Sequence, residues 1–166
     1  VPEHCSNLNK SSGKKEVAAR EILGQVAGAN DGFWSGIGTG GTLAGIGESL
    51  KALSPHIGFW AVEPENAAIL SGGAIGTRLQ MGIGDGLIPD NLNQDIYDDL
   101  YLVTDEEAIQ TAKDLARLEG LMCGISSGTN VAAALKLAKK LGPGKTVVTI
   151  LPDTAERYFS TPLFQE

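Results

Sequence analysis

Gly36-Ile37-Gly38-Thr39-Gly40-Gly41-Thr42 separates a short apolar run from a segment with helical periodicity. Glycines placed there let the main chain approach a ligand closely or adopt positive φ. A helix starting just after them has first amides with no intrahelical acceptor, at the positive end of its dipole. Such a turn holds an anion without any basic side chain. Thr39 and Thr42 add hydroxyl donors, and a phosphate monoester is the natural occupant. The same stretch fits G-x-G-x-x-G as Gly36, Gly38 and Gly41, with Glu63 lying 22 positions after Gly41. A dinucleotide site uses a carboxylate at about that distance to hold a ribose. No Gly-Lys-Ser/Thr follows, so the turn is not a Walker A loop. Three readings stand on the local pattern: a phosphate cradle, a nicotinamide-binding Rossmann site, or a plain structural turn.

Charge narrows the choice of partner. The chain has 13 basic and 20 acidic residues, a net charge of −7. General binding to nucleic acid or to an anionic membrane rests on Lys and Arg, so neither is expected. No apolar run approaches the roughly 20 residues that span a bilayer, and no secretory apolar core opens the sequence. Cys5 and Cys123 form no disulfide framework and no CxxC pair; free thiols in a reducing cytoplasm are expected. His4 and His56 have no second ligand at metal spacing, so no metal site is expected. At 166 residues and 42% hydrophobic composition, one domain with a sizeable core is within reach.

The elements that must position the glycine turn follow from periodicity. Lys14 to Val26 has helical spacing, and Phe33 to Ile37 reads as a strand. Thr42 to Leu53 is a helix stopped by Ser54-Pro55, and Ile57 to Val62 a strand ended by Glu63-Pro64. Residues 64–98 are loop-rich, with a short apolar piece at Ala67 to Leu70. Leu100 to Val103 is a strand. Thr104 then caps a helix from Asp105 to Leu118, with Glu107 completing a capping box and Gly120 ending it. Ser126 or Ser127 opens a helix reaching Leu141, Gly142-Pro143-Gly144 turns the chain, and Thr146 to Leu151 reads as a strand buried on both faces. Alternating strands and helices predict an α/β fold, a mostly parallel sheet with helices on both faces and ligands at the carboxyl ends of the strands. Trp34 and Trp60 belong to its core. Asp98, Asp99, Glu106 and Glu107 read as ordinary exposed carboxylates.

Several motifs, in order, identify a resemblance. Gly38-Thr39-Gly40-Gly41-Thr42 is followed by Ala61-Val62-Glu63-Pro64, Leu70-Ser71-Gly72-Gly73 and Gly82-Ile83-Gly84-Asp85-Gly86-Leu87-Ile88-Pro89. Then come Val103-Thr104-Asp105-Glu106-Glu107-Ala108, Gly124-Ile125-Ser126-Ser127-Gly128, Leu151-Pro152-Asp153, Glu156-Arg157-Tyr158 and Ser160-Thr161-Pro162-Leu163-Phe164. Across residues 16–166 the chain resembles the C-terminal part of pyridoxal-phosphate (PLP) enzymes of fold type II, the tryptophan synthase β-like fold, and most of all the cysteine synthase (O-acetylserine sulfhydrylase) group. The resemblance implies that Gly38, Thr39, Gly40, Gly41 and Thr42 hold the phosphate of PLP and that Ser126 meets its pyridine nitrogen. A neutral hydroxyl leaves that nitrogen largely unprotonated, which favours prompt loss of a β-leaving group over transamination. Segment 82–89 faces the substrate in the family, and Glu63 becomes a strand-end residue and not a ribose ligand.

The resemblance implies β-replacement of O-acetyl-L-serine with sulfide, giving L-cysteine and acetate. Cystathionine synthesis and serine/threonine dehydration use a similar phosphate loop and remain alternatives, as do a non-catalytic PLP- or phosphate-binding fragment and the nicotinamide-binding protein. The family's cofactor-bonding lysine and its Ser/Thr-Ser-Gly-Asn loop do not occur in these residues. No catalytic residue is therefore assigned, and the chain alone is expected to be inactive. Residues 1–13 read as an irregular lead, foreign or degenerate, and 14–166 as a single α/β domain incomplete relative to the family. Met81 looks like an extra residue before Gly82, and Thr154-Ala155 replaces a pair usually ending in Gly. An incomplete sheet is expected to expose apolar surface or a bare strand edge, and so to form a homodimer or pair with a complementing chain. Serine acetyltransferase is a further candidate partner on the family likeness.

Overall fold

The computed structural model describes residues 17–26, 30–38, 40–86, 88 and 92–165. Strand β1 (Gly32–Gly36) lies at the centre of a parallel sheet. It pairs on one side with β2 (Gly58–Pro64), which pairs in turn with β3 (Asp99–Val103). On its other side it pairs with β4 (Val147–Thr149), for an order β3-β2-β1-β4. The helices are α1 (Ala18–Val26), α2 (Gly41–Leu53), α3 (Asp105–Asp114) and α4 (Ile125–Leu141).

Successive strand side chains point to opposite faces. Phe33 therefore packs with Phe59, Ala61 and the Leu43, Ile46 and Leu50 face of α2, with Ile22 and Leu23 of α1 against them. Trp34 packs the other way, with Val62, Val103, Ala108 of α3 and Ala133 and Leu137 of α4. Two cores share one sheet, with helices on both faces. Trp34 is fully buried, stacks on Trp60 at 5.7 Å and meets Tyr101 edge-on at 4.7 Å. Both tryptophans are structural.

Several local expectations need correction. The helix after Thr104 leaves α geometry at Asp114 and continues as a π turn over Leu115–Glu119, closed by Gly120 in the left-handed region. Thr104 does cap α3, its hydroxyl accepting from Glu107 N–H at 3.1 Å. The return half of the capping box is not made, because the Glu107 carboxylate reaches across to Lys136 of α4 at 2.8 Å. Neither Ser126 nor Ser127 caps α4; the cap position is Gly124, and both serines lie buried in the first turn. Strand β2 runs on through Glu63-Pro64 because the next amide, Glu65 N–H, supplies a bond to Val103 O at 3.0 Å. Strand β4 is short and half-buried, not buried on both faces. It has β1 as its neighbour on one side alone, so among the described residues β3 and β4 form the sheet's two edges. Asp98 is exposed, as expected, but it also accepts from Phe59 N–H and from Lys51, each at 2.7 Å, tying β2 to α2.

The β1–β4 register ends at Trp34–Thr149. Beyond it the ladder is replaced by one side chain. Asn130 of α4, almost wholly buried, accepts from Gly36 N–H at 2.7 Å and donates to Ile150 O at 2.8 Å. The strands part at their carboxyl ends, at the point where the strand order switches sides, which is where open α/β sheets form ligand crevices. Asn130→Ala leaves two peptide groups unpaired and is expected to cost about 2–4 kcal/mol. The check is a lower urea midpoint at unchanged m-value; an unchanged midpoint would show that the bridge contributes nothing.

Candidate functional site

The turn after β1 brings Gly38, Gly40, Gly41 and Thr42 to the mouth of this crevice; Thr39 lies outside the described residues. Gly40 occupies the N-cap position of α2 with φ +74°, so no cap side chain covers the helix end. Its carbonyl accepts from Ala44 N–H at 3.0 Å, the first bond of the helix. The amides of Gly41 and Thr42 have no acceptor among the described residues. Gly38 is a close approach: a Cβ there would stand 2.3 Å from the carbonyl oxygen of Gly82. The first turn of α2 carries no acidic side chain, so nothing on the helix itself competes with an anion.

The segment after Leu79 folds over this turn. Gly84 N–H donates to Ile37 O at 3.1 Å. Arg78 holds the segment's own curve, donating to Ile83 O at 2.7 Å and to Asp85 at 2.6 Å. Its other side lines a cavity of about 390 Å³. Met81, Gly82 and Ile83 form one wall, Ser126 another, and Pro152, Asp153 and Tyr158 close it. Ser126 is buried, and its hydroxyl makes no hydrogen bond among the described residues. The structure thus brings Gly38 and Ser126 to the two sides of one loop, although 88 positions separate them in the chain.

Asp153 and Tyr158 receive no role from the sequence beyond their place in the resemblance, yet they are part of the cavity. The Tyr158 hydroxyl donates to Asp153 Oδ2 at 2.6 Å, while Asp153 Oδ1 is buried without a partner. Their five-residue separation spans the short 3₁₀ turn Ala155–Tyr158, a signal too weak to read without coordinates. Ala155, where the family pattern has Gly, is buried at the start of that turn.

Glu63 decides against the dinucleotide reading. It is buried, and its carboxylate accepts from Leu70 N–H at 2.9 Å, Ser71 N–H at 3.3 Å and the Ser71 hydroxyl at 3.2 Å. With both oxygens engaged in ordering residues 70–71, it is a strand-end tie and not a ribose ligand. No described lysine lines the cavity; Lys51, Lys136 and Lys145 pair with Asp98, Glu107 and Asp31 at the surface. Lys10, Lys14, Lys15, His4 and Cys5 lie outside the described residues. Cys123 is a buried free thiol. Among the described residues no group of His, Cys, Asp and Glu could hold a metal ion, and no helix is long and apolar enough to cross a membrane.

The sequence profile of pyridoxal-phosphate dependent enzymes matches residues 1–153. The chain belongs to the pyridoxal-phosphate dependent enzyme family. It is 48% identical over 164 residues to a cysteine synthase of Staphylococcus aureus strain Mu50, a match covering 98% of this chain and 53% of that protein. Cysteine synthase B of Campylobacter jejuni is 46% identical over 158 residues, covering 95% and 52%. The chain spans about half the length of the curated relatives it matches. Among solved structures, O-ureido-L-serine synthase superposes with a TM-score of 0.94 at 38% identity, covering 97% of this chain and 51% of that one. Isoform 3 of O-acetyl serine sulfhydrylase from Entamoeba histolytica superposes equally well, at 0.94 and 36% identity, covering 98% and 48%. The fold is that of PLP enzymes of fold type II, as the resemblance implied.

Tyr158 offers a test of the cavity's floor. Burial, then the hydrogen bond to Asp153 and its negative charge, raise the phenol's pKa well above its ordinary value. The folded state therefore holds this proton more tightly than the unfolded chain does. The resulting stability is fully present below the unfolded value near 10 and is lost as pH rises toward the folded one. Unfolding free energy measured from pH 9 upward is expected to fall with pH, and to fall less steeply in Tyr158→Phe. Equal slopes in the two proteins would show that Tyr158 is not held as described.

Proposed function

We propose that these residues form the phosphate-holding and ring-holding face of a PLP-dependent enzyme that converts O-acetyl-L-serine and sulfide into L-cysteine and acetate by β-replacement. The observation that carries the reading is the contact of Gly38 with Gly82, which sets the uncovered end of α2 and the cavity holding Ser126 on either side of one loop. The features fit the cofactor chemically. A helix end with no cap side chain, whose first amides have no acceptor among the described residues, suits a phosphate ester. The Ser126 hydroxyl, on a buried residue that lines the cavity and without a partner among the described residues, suits a neutral ring nitrogen.

The amides of Gly38, Gly40, Gly41 and Thr42, with the hydroxyls of Thr39 and Thr42, would hold the phosphate. The Ser126 hydroxyl would orient the ring by its nitrogen without forcing a proton onto it. When bound, PLP supplies a moderate electron sink, which favours departure of a β-substituent. The Met81–Ile83 wall and Tyr158 would keep water from the reacting groups. The names of the curated relatives favour cysteine synthesis over cystathionine formation or dehydration. None of the chain's lysines lies in a family-like context, so the amine that bonds the cofactor would come from outside these residues. Polypeptide outside these 166 residues, such as a complementing chain, is its proposed source. By themselves the 166 residues would bind PLP without turnover.

Equilibrium titration with PLP tests this. Saturable binding is expected, weakened about tenfold or more in Gly38→Ala with the far-UV circular dichroism unchanged. Pyridoxal without its phosphate should bind more weakly than PLP, and NADH should not compete. Borohydride treatment of the complex should leave no single-site lysine adduct. Equal PLP affinity in the wild type and Gly38→Ala, or preferential NADH binding, would overturn the assignment. One stoichiometric lysine adduct would overturn the claim that the amine lies outside these residues.

A further inference from the structure

Gln80 is wholly buried in the loop that forms one wall of the cavity. A buried amide is costly unless its donors and acceptor are engaged, and here they are. Its Nε2 donates to Val103 O at 3.0 Å and to Asp105 Oδ1 at 2.9 Å. Its Oε1 accepts from the Thr129 hydroxyl at 2.8 Å. Asp105, also buried, uses its second oxygen to accept from Leu79 N–H at 2.9 Å. The end of β3, the first turn of α3 and the first half of α4 therefore meet on one side chain. A loop that needed only packing there would be served by Leu or Met.

What the network joins is specific. Met81, Gly82 and Ile83 follow Gln80 directly and line the cavity. Thr129 lies three residues after Ser126 on α4, and its hydroxyl also reaches Ile125 O at 3.2 Å. Residues three apart on a helix share a face, so Thr129 stands beneath Ser126. The two facing walls are thus tied through one amide. Arg78 acts within the loop, and Gly84 N–H reaches Ile37 after β1, so neither sets that spacing.

We propose that Gln80 is a positioning residue: bonded to Asp105 and Thr129, it sets the separation between the Met81–Ile83 wall and the Ser126 hydroxyl, and so the cavity's affinity for its ligand. The inference rests on the reading of this cavity as the cofactor site. Two nearly shape-conserving variants test it, Gln80→Met and Thr129→Val, alone and combined. PLP affinity, the emission spectrum of bound PLP and amide hydrogen exchange are read in each. In Gln80→Met, exchange at residues 81–84 is expected to rise about tenfold while β1 and α2 keep their protection. PLP affinity should fall about tenfold with a shifted emission spectrum, which loss of stability alone would not produce. Thr129→Val should act in the same direction more weakly. The double variant should be no worse than Gln80→Met, since both act in one network.

Unchanged exchange at 81–84 would overturn the proposal, as would additive effects in the double variant or protection lost evenly across the chain. Should Gln80→Met fail to fold, Thr129→Val decides by the same readouts. The exchange measurement needs no ligand. If wild-type protein does not bind PLP, the cofactor reading fails, while the exchange pattern still decides whether Gln80 holds the wall.

Discussion

Asn130 resolves a conflict built into the sheet. Strands β1 and β4 must pair to close the fold, yet must part at their carboxyl ends to leave room for a ligand. Simple separation would strand Gly36 N–H and Ile150 O inside the protein, each at a cost of about 1–3 kcal/mol. The carboxamide of Asn130 has a donor and an acceptor at the right span and satisfies both. Thr149 adds a smaller bond of the same kind, its hydroxyl donating to Trp34 O at 2.9 Å. The crevice, the turn that opens from β1 and the cavity beside Ser126 all depend on that separation. Because Asn130 lies one turn beyond Ser126 on α4, the helix that wedges the strands apart also carries the site's hydroxyl.

The loop from Arg78 to Gly86 uses the same principle over a longer path. It has little regular structure, so its buried polar groups must find partners one at a time. Gln80 turns inward to the α3–α4 side, Gly84 N–H turns to β1, and Arg78 closes the curve between them. The ties of Gln80 reach β3, α3 and α4, that of Gly84 reaches the residue after β1, and those of Arg78 stay within the loop. The loop consequently has one path over the crevice, and Gly82 can pass against Gly38 where a side chain on Gly38 would collide with the Gly82 carbonyl.

On the proposed function, the glycine turn would let a chain with net charge −7 receive a phosphate. The attraction would come from main-chain dipoles fixed at the end of α2, which act over a few ångströms and depend little on overall charge. Two charged side chains line the described cavity, Arg157 and Asp153, the latter a carboxylate with one oxygen committed to Tyr158 and one without a partner. It lies beside the start of α4, whose positive end offsets its charge.

Much of this was legible in the residues. Periodicity located the helices and strands, because a half-buried element must repeat its apolar positions with its own period. The split of Phe33 and Trp34 to opposite cores follows from strand geometry alone. The glycines of the turn marked the mouth of the crevice, because few other residues accept φ +74° or so close an approach of backbone to backbone. Local pattern could not separate a phosphate cradle from a ribose-binding motif. That difference lies in whether Glu63 is free, and its partners at Leu70 and Ser71 are made by the fold. Tertiary contacts likewise drew Glu107 away from its capping box to Lys136, and left β4 half-buried with one neighbour. Gln80, Asn130 and Asp153 looked like ordinary polar residues in the sequence. Their roles are set by partners 20 to 94 positions away or by an orphaned oxygen in a cavity. The sequence by itself determined which segments are helix, strand and close turn, since those depend on neighbours along the chain; which polar atoms are consumed and which face a ligand was decided only when distant segments met.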